Sequence, residues 1–506
     1  MSTPKSIYIV NRKNTEFLYA KILPYMRTHY DTKFTIIGEE DKIPVIEKWC
    51  SIEDLIISLN KINEDYINLS VPQEEIIFEK ARYYEEKYNI TYLRDSILQD
   101  RHYSLTYIHT AVNNPGRRSQ VEPYINIINK QNYFFEYVEK LFEDRSIDLV
   151  ISRPDNLLGF AATTVAKAKN IPVTLNDVTK LDGYMYWSYG AYTADNQFRR
   201  YIKNLSSEDF KKIEDIKIET SSHSFKDREN LLRALSFRAL ISDLIYIFKD
   251  RLNWIIKDIK NRKLGKRVPM FKVIKSKIIA YKDHRFFQEI FESDIEVIKK
   301  HPYVYFPLPT EPEFNTHSLS KEFINTYAMA QQAAISLPAG FKLVIKEHTP
   351  NIGSRSNDFY TRLQKIPNLI IANYILSGPE LIDHANSVLT VAGSSAVEAA
   401  ERGKIAVIFA TSVEWQFLPN IVKAHSLRDL TTVFKSVTKE LTDKKKKEII
   451  NSAKLLKLAY KECGYYVPNT PLFHGTSQEI APKELTKAVD KLIEVYNLQK
   501  IEYIEK

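Results

Sequence analysis

The chain holds only two cysteines in 506 residues, Cys50 and Cys463, and only 13 glycines. Two cysteines so far apart exclude a disulfide framework and a paired-cysteine zinc motif, and they fit a reducing compartment. With so little glycine and 21 prolines, a collagenous or low-complexity chain is excluded as well. No apolar run approaches the roughly 18 residues a membrane-spanning helix needs, and the apolar stretch Ile7–Val10 is far too short for the core of a signal peptide. The chain is therefore expected to be cytoplasmic. It also lacks a G-x-G-x-x-G after its opening strand, a Walker A loop and a His-Glu-x-x-His, so nicotinamide chemistry, P-loop hydrolysis and zinc proteolysis lose support.

What is present is a globular composition, 44% hydrophobic and 27% charged. A chain of this length is expected to split into two domains of roughly 200 residues each. Lys and Arg outnumber Asp and Glu by 72 to 63, a net charge of +9. The surplus is local: between Lys249 and Lys277 stand eleven basic residues against Asp250 and Asp258, which matches the surplus of the whole chain. Apolar residues such as Leu252, Trp254, Ile255 and Ile259 are interleaved with them. The pattern suits either an anionic membrane surface or a solvated linker. No nucleic-acid module accompanies it, so no nucleic-acid partner is expected.

Strand and helix signals alternate at both ends of the chain. In the first part, strand Ile7–Val10, helix Thr15–Tyr25 and strand Phe34–Gly38 are followed by helices over Glu74–Tyr92 and Ile125–Glu143. Strand Ile147–Ser152, helix Asn156–Lys169 and strand Ile171–Leu175 complete one Rossmann-like unit, 1–205. Residues 206–300 are charge-dense and helical, a linker or insertion. A second Rossmann-like unit, 301–440, reads as strand Tyr303–Pro307, helix Lys321–Leu337, strand Phe341–Lys346, strand Leu369–Ala372, helix Glu380–Ala385, strand Ser387–Val391, helix Ser395–Arg402 and strand Ile405–Phe409. Residues 441–506 read as helices. The expected class is α/β, with two Rossmann-like domains facing a cleft in the GT-B manner.

Three loops of the second unit fall at carboxyl ends of expected parallel strands, where open α/β sheets bind ligands. The first is Lys346-Glu347-His348, at the end of a buried strand. Such a histidine can donate to a phosphate oxygen or protonate a leaving group, or it is simply a solvated strand end. Pro350 holds Thr349 extended. The second is Gly393-Ser394-Ser395, where a strand runs straight into a helix. Helix-start amides and hydroxyls form an anion site there, while Glu398 supports that site or closes a capping box with Ser395. The third is Pro307-Leu308-Pro309-Thr310-Glu311-Pro312-Glu313, whose Glu311 and Glu313 are candidates for a base or for orienting sugar hydroxyls, or are plain surface acids. From the first unit, Asp155 in "RPDN" and Asp100 in "DRHY" are candidate acceptor-activating carboxylates, with an N-cap as the structural alternative for Asp155. Tyr184, Tyr186 and Trp187 are candidates for stacking on carbohydrate.

The segments "YVYFPLPTEPE", "LPAGFKLVIKEHTP" and "AGSSAVEAAERGKIAVIF" resemble, in order and spacing, the bacterial capsule and surface polysaccharide biosynthesis family. That group is similar to capsule-type transferases of 3-deoxy-manno-octulosonic acid (Kdo) and, more distantly, to bacterial sialyltransferases. The resemblance covers Tyr303–Phe409, about a fifth of the chain, and Asp100-Arg101-His102 adds a weaker element. One departure is that the family's His-Pro stands here as His348-Thr349-Pro350. The resemblance implies a GT-B glycosyltransferase that takes a Kdo- or sialic-acid-like sugar from a CMP-activated donor, with no metal or other cofactor required. His348 would hold the donor phosphate, Ser394 and Ser395 the phosphate or nucleotide, and Glu398 the base or ribose, with Lys346 and Gly393 in the same site. The acceptor would be a surface polysaccharide or lipid-linked glycan at the inner face of the membrane. Two alternatives keep the expected fold: a CDP-glycerol-type polyol-phosphate transferase, and a non-catalytic partner in a capsule assembly or export complex.

Overall fold

The computed structural model describes residues 2–10, 16–40, 42–100, 103, 123–190, 196–205, 213, 216, 236–261, 291–310, 314–348, 355, 357–410, 413–468 and 480–505, together with 274, 275, 278, 281, 282, 285, 286, 289 and 290. Arg101, His102, Glu311, Glu313, Thr349 and Pro350 lie outside the described residues, as does most of the basic stretch after Asn261.

Five parallel strands open the fold: β1 (Ser6–Val10), β2 (Lys33–Gly38), β3 (Leu55–Ser58), β4 (Leu149–Ile151) and β5 (Val173–Thr174). They lie in the order β3-β2-β1-β4-β5, with β1 flanked in parallel by β2 and β4. Ile7, Tyr8 and Ile9 are fully buried because helices cover both faces, as in a doubly wound sheet. A hairpin follows, β6 (Asn176–Val178) and β7 (Tyr184–Trp187), antiparallel to each other.

The second sheet has β8 (Tyr303–Pro307), β9 (Lys342–Lys346), β10 (Leu369–Ala372), β11 (Ser387–Thr390), β12 (Ile405–Ile408) and β13 (Ile421–Lys423). Its order, β10-β9-β8-β11-β12-β13, repeats that of the first sheet with one strand added, and every pair in it is parallel. Both sheets thus follow the dinucleotide-fold order 3-2-1-4-5, the second extending it to 6. The α/β architecture with two Rossmann-like sheets is the expected one.

The chain's end joins the two halves. Helix Asp443–Cys463 packs Ile449, Leu456 and Tyr460 into the core of the second sheet. Strand β14 (Tyr465–Tyr466) then pairs antiparallel with β7, and helix Pro482–Glu505 packs Ala488, Leu492 and Tyr496 into the core of the first. Gln499 on that helix donates its amide to Val173 O at 2.9 Å and accepts from Val173 N at 3.0 Å. A side chain so takes the place of a neighbouring strand on the edge strand β5. Both cysteines are free. Among the described residues no helix is long and apolar enough to cross a membrane.

The structure differs from the expected helix Lys321–Leu337, which begins only at Thr326. Asn325 caps it, accepting from Ala328 N at 3.0 Å. The preceding residues serve tertiary contacts: Phe323 stacks on Phe409 with ring centroids 4.2 Å apart, and Lys321 pairs with Asp95 of the first half.

Candidate functional site

In open α/β sheets the ligand crevice opens where strand order reverses. In the second sheet that point lies between β8 and β11, and the expected loops leave from β8, from its neighbour β9 and from β11. The loop after β8 is tied to the loop after β9, since Leu308 N donates to Lys346 O at 2.9 Å. His348 is exposed, and its Nδ1 lies 3.5 Å from Thr310 Oγ1. An exposed imidazole in that position is accessible to a ligand.

Beneath it, Glu347 is buried. Its Oε1 accepts the His348 backbone N–H at 2.8 Å, and its Oε2 accepts from the Arg355 guanidinium and from Tyr360 Oη, the latter at 2.5 Å. Arg355 also donates to Pro309 O at 2.7 Å. One guanidinium therefore fixes the exits of both β8 and β9. Burial beside Glu347 holds the Tyr360 phenol well above its ordinary pKa. In sequence Glu347 is part of a polar strand tip, and nothing in the spacing of Glu347 and Arg355 marks a buried pair.

At the exit of β11, Gly393 N donates to Thr390 Oγ1 at 3.1 Å, and a Cβ added at Gly393 would lie 2.6 Å from that hydroxyl. The glycine is required by the tight turn itself. Ser394 occupies the N-cap position of helix Ser395–Glu401 without capping it, and its hydroxyl donates to Glu398 Oε1 at 3.3 Å. The capping box envisaged between Ser395 and Glu398 does not form. Ser395 Oγ is instead buried with no hydrogen-bond partner among the described residues. Burial pushes the Glu398 carboxyl up from its ordinary pKa, and Arg402, the Ser394 hydroxyl and Lys180 oppose the rise. Lys180 comes from the loop after β6, so the other half of the molecule reaches this corner.

The carboxyl edge of the first sheet lies against the second half. Ser318 donates to Gln99 in a buried contact, and Arg94 pairs with Glu322 at the surface. At the exit of β4, Asp100 is buried and accepts Leu157 N at 3.0 Å, at the start of helix Leu157–Ala168. Asn156 supplies the N-cap by accepting from Gly159 N at 2.9 Å. A Cβ at Gly159 would fall 2.1 Å from Arg153 O, so only glycine lets the helix start approach the strand exit this closely. Asp155 is therefore not the cap; it is half-buried and accepts from Asn156 Nδ2 at 3.2 Å. Beside it Arg153 pairs with Asp177, a basic group at the strand exit whose only sequence signal is that it adjoins the "PDN" turn. Burial of Arg153 is outweighed by Asp177, Asp155 and Tyr186, which leave its pKa above the ordinary arginine value.

Two candidates for sugar stacking are excluded by packing. Trp187 is buried with its indole N–H donated to Ala488 O at 2.8 Å, and Tyr186 is buried edge-on against Phe198. Tyr184 is half-buried beside Tyr466.

No known family model matches this sequence, and no characterised protein matches it either. Solved structures do align. A UDP-N-acetylglucosamine 2-epimerase of Listeria monocytogenes, described as putative, is 9% identical over 89% of this chain and 91% of its own, with a TM-score of 0.28. The UDP-N-acetylglucosamine 2-epimerase of Neisseria meningitidis bound to UDP-GlcNAc is 10% identical over 90% of this chain and 98% of its own, at 0.25. The HepE protein of Anabaena in complex with UDP-glucose is 9% identical over 99% of each chain, at 0.29. At these TM-scores the fold assignment rests on strand order, not on the likeness.

Proposed function

We propose that the chain is a glycosyltransferase that moves a sugar from a nucleotide-activated donor to a surface glycan at the inner face of the membrane, with no metal required. The observation that carries this reading is the set of three strand exits at the reversal point of the second sheet. There an exposed imidazole and the start of helix Ser395–Glu401 belong to one carboxyl edge. Departure of a nucleotide phosphate develops negative charge, and an imidazole with helix-start donors stabilises it.

On this reading His348 and Lys346 meet the donor phosphate. Ser394 and Ser395 meet phosphate or nucleotide, and Glu398 supports them. Asp155, on the facing edge of the first sheet, is the carboxylate offered for the acceptor. Asp100 supports that turn from beneath through its bond to Leu157 N. Glu311 and Glu313 keep their proposed role in activating or orienting the acceptor. The donor we propose is a CMP-activated sugar of the Kdo or sialic acid type, on the strength of the motif resemblance.

A thermal-shift series with CMP, UDP, GDP and CDP tests the nucleotide. A ligand at 100 times its dissociation constant adds about 2.7 kcal/mol of stability, and CMP is expected to give the largest shift. Incubation with labelled CMP-sugars and with CDP-glycerol then separates sugar transfer from polyol-phosphate transfer. Absence of a shift with all four nucleotides would favour the non-catalytic partner instead.

A further inference from the structure

None of the described residues of helix Phe237–Asn261 belongs to a hydrophobic core, although the Phe237 ring lies 6.0 Å from that of Tyr281. Yet Phe237, Ile241, Ile245 and Phe248 are each between 43% and 59% exposed. On a helix turning about 100° per residue, these four fall within an arc of about 80°. Arg238 and Lys249, both exposed, lie just past one edge of that arc, and Asp243 falls on the far side of the helix. The helix then leads by sequence into the Lys- and Arg-rich stretch that ends at Lys277.

An apolar stripe edged by cations is the pattern of a helix lying in a bilayer interface, whereas an exposed apolar patch edged by acids is not. The molecule offers the contrast. Ile67, Leu69 and Val71 are also exposed, but Glu64, Asp65, Glu74 and Glu75 flank them, and an anionic surface would repel that site.

We propose that the stripe Phe237–Ile241–Ile245–Phe248 docks the protein on an anionic lipid bilayer, its apolar side chains entering the headgroup boundary while Arg238 and Lys249 meet lipid phosphates. The inference does not rest on the transferase reading, because neither donor nor acceptor takes part in the test. Full-length protein is floated with phosphatidylcholine vesicles made with and without phosphatidylglycerol, alongside the double variant Ile241→Ser/Ile245→Ser.

The wild type is expected to float with the phosphatidylglycerol vesicles, less so at high salt. The double variant, both of whose sites are solvent-exposed, is expected to bind at least about tenfold more weakly with an unchanged melting temperature. Wild-type protein that ignores both vesicle types overturns the proposal, and so does a double variant that binds as the wild type does. Sedimentation of the same two proteins adds a further outcome. If the wild type is a dimer and the variant a monomer, a second copy covers the stripe and the lipid assignment fails.

Discussion

Glu347 and Arg355 form an ion pair with side-chain exposures of 0% and 2%, and the same guanidinium reaches Pro309 O while the same carboxylate holds the His348 N–H. A buried pair is costly to break from one side, because the surviving charge is left without a partner in a dry site. Arg355→Ala is expected to cost about 3–5 kcal/mol. The double variant Glu347→Gln/Arg355→Met, which leaves neither charge, is expected to cost less than Arg355→Ala alone. Urea denaturation of both proteins checks the order; a larger loss in the double variant would show that the pair is not the unit that matters.

The Ser395 hydroxyl separates structural from ligand-binding roles. A buried hydroxyl with no partner among the described residues costs desolvation and returns nothing to the fold, so Ser395→Ala is expected to be neutral or stabilising by up to about 1 kcal/mol. If the hydroxyl serves the donor, the same change lowers turnover. With Ser394→Ala added, and separately for His348→Ala, the expected loss is at least about tenfold in kcat/KM with the fold intact. Wild-type rates in both variants would remove this edge of the second sheet from the reaction.

Five of the six strands of the second sheet are legible because each is a short run of largely buried apolar residues, as in Leu343-Val344-Ile345 and Val388-Leu389; the edge strand β13, half-buried to exposed over Ile421–Lys423, carries no such run. The hairpin β6–β7 and strand β14 are not legible either. They are two to four residues long, and the pairing of Tyr465 with Met185 joins positions far apart in the chain, so no local periodicity announces it. The site was legible as loops but not as contacts. His348, Gly393 and Ser394 stand where strand ends place them, while the burial of Glu347 depends on Arg355 and Tyr360 reaching it from later segments.

The two aspartates near the exit of β4 are predicted to behave differently. Asp100 accepts the N–H of Leu157 in a buried site, so Asp100→Ala removes a bond to a helix start and is expected to cost about 0.5–2 kcal/mol. Asp155 is half-buried and accepts from the adjacent Asn156; Asp155→Ala is expected to change stability by no more than about 0.5 kcal/mol. Loss of transfer activity in Asp155→Ala with an unchanged melting temperature would support its proposed role, and full activity would end it.

Glu398 gives a pH signature. Burial raises its carboxyl pKa in the folded protein, so the folded state holds this proton at pH values where the unfolded chain has released it. Where the folded state binds more protons, stability falls as pH rises. Wild-type stability should thus decline through the interval above the ordinary carboxylate pKa, by the part of that slope Glu398 supplies. Glu398→Gln cannot ionise and removes that part, while keeping an oxygen to accept the Ser394 hydroxyl. The variant is expected to gain stability relative to wild type at neutral pH and to lose the advantage in acid. Thermal melts of both proteins across that range check the crossover; parallel curves would mean that Ser394, Arg402 and Lys180 already hold the carboxylate charged at no cost to the fold.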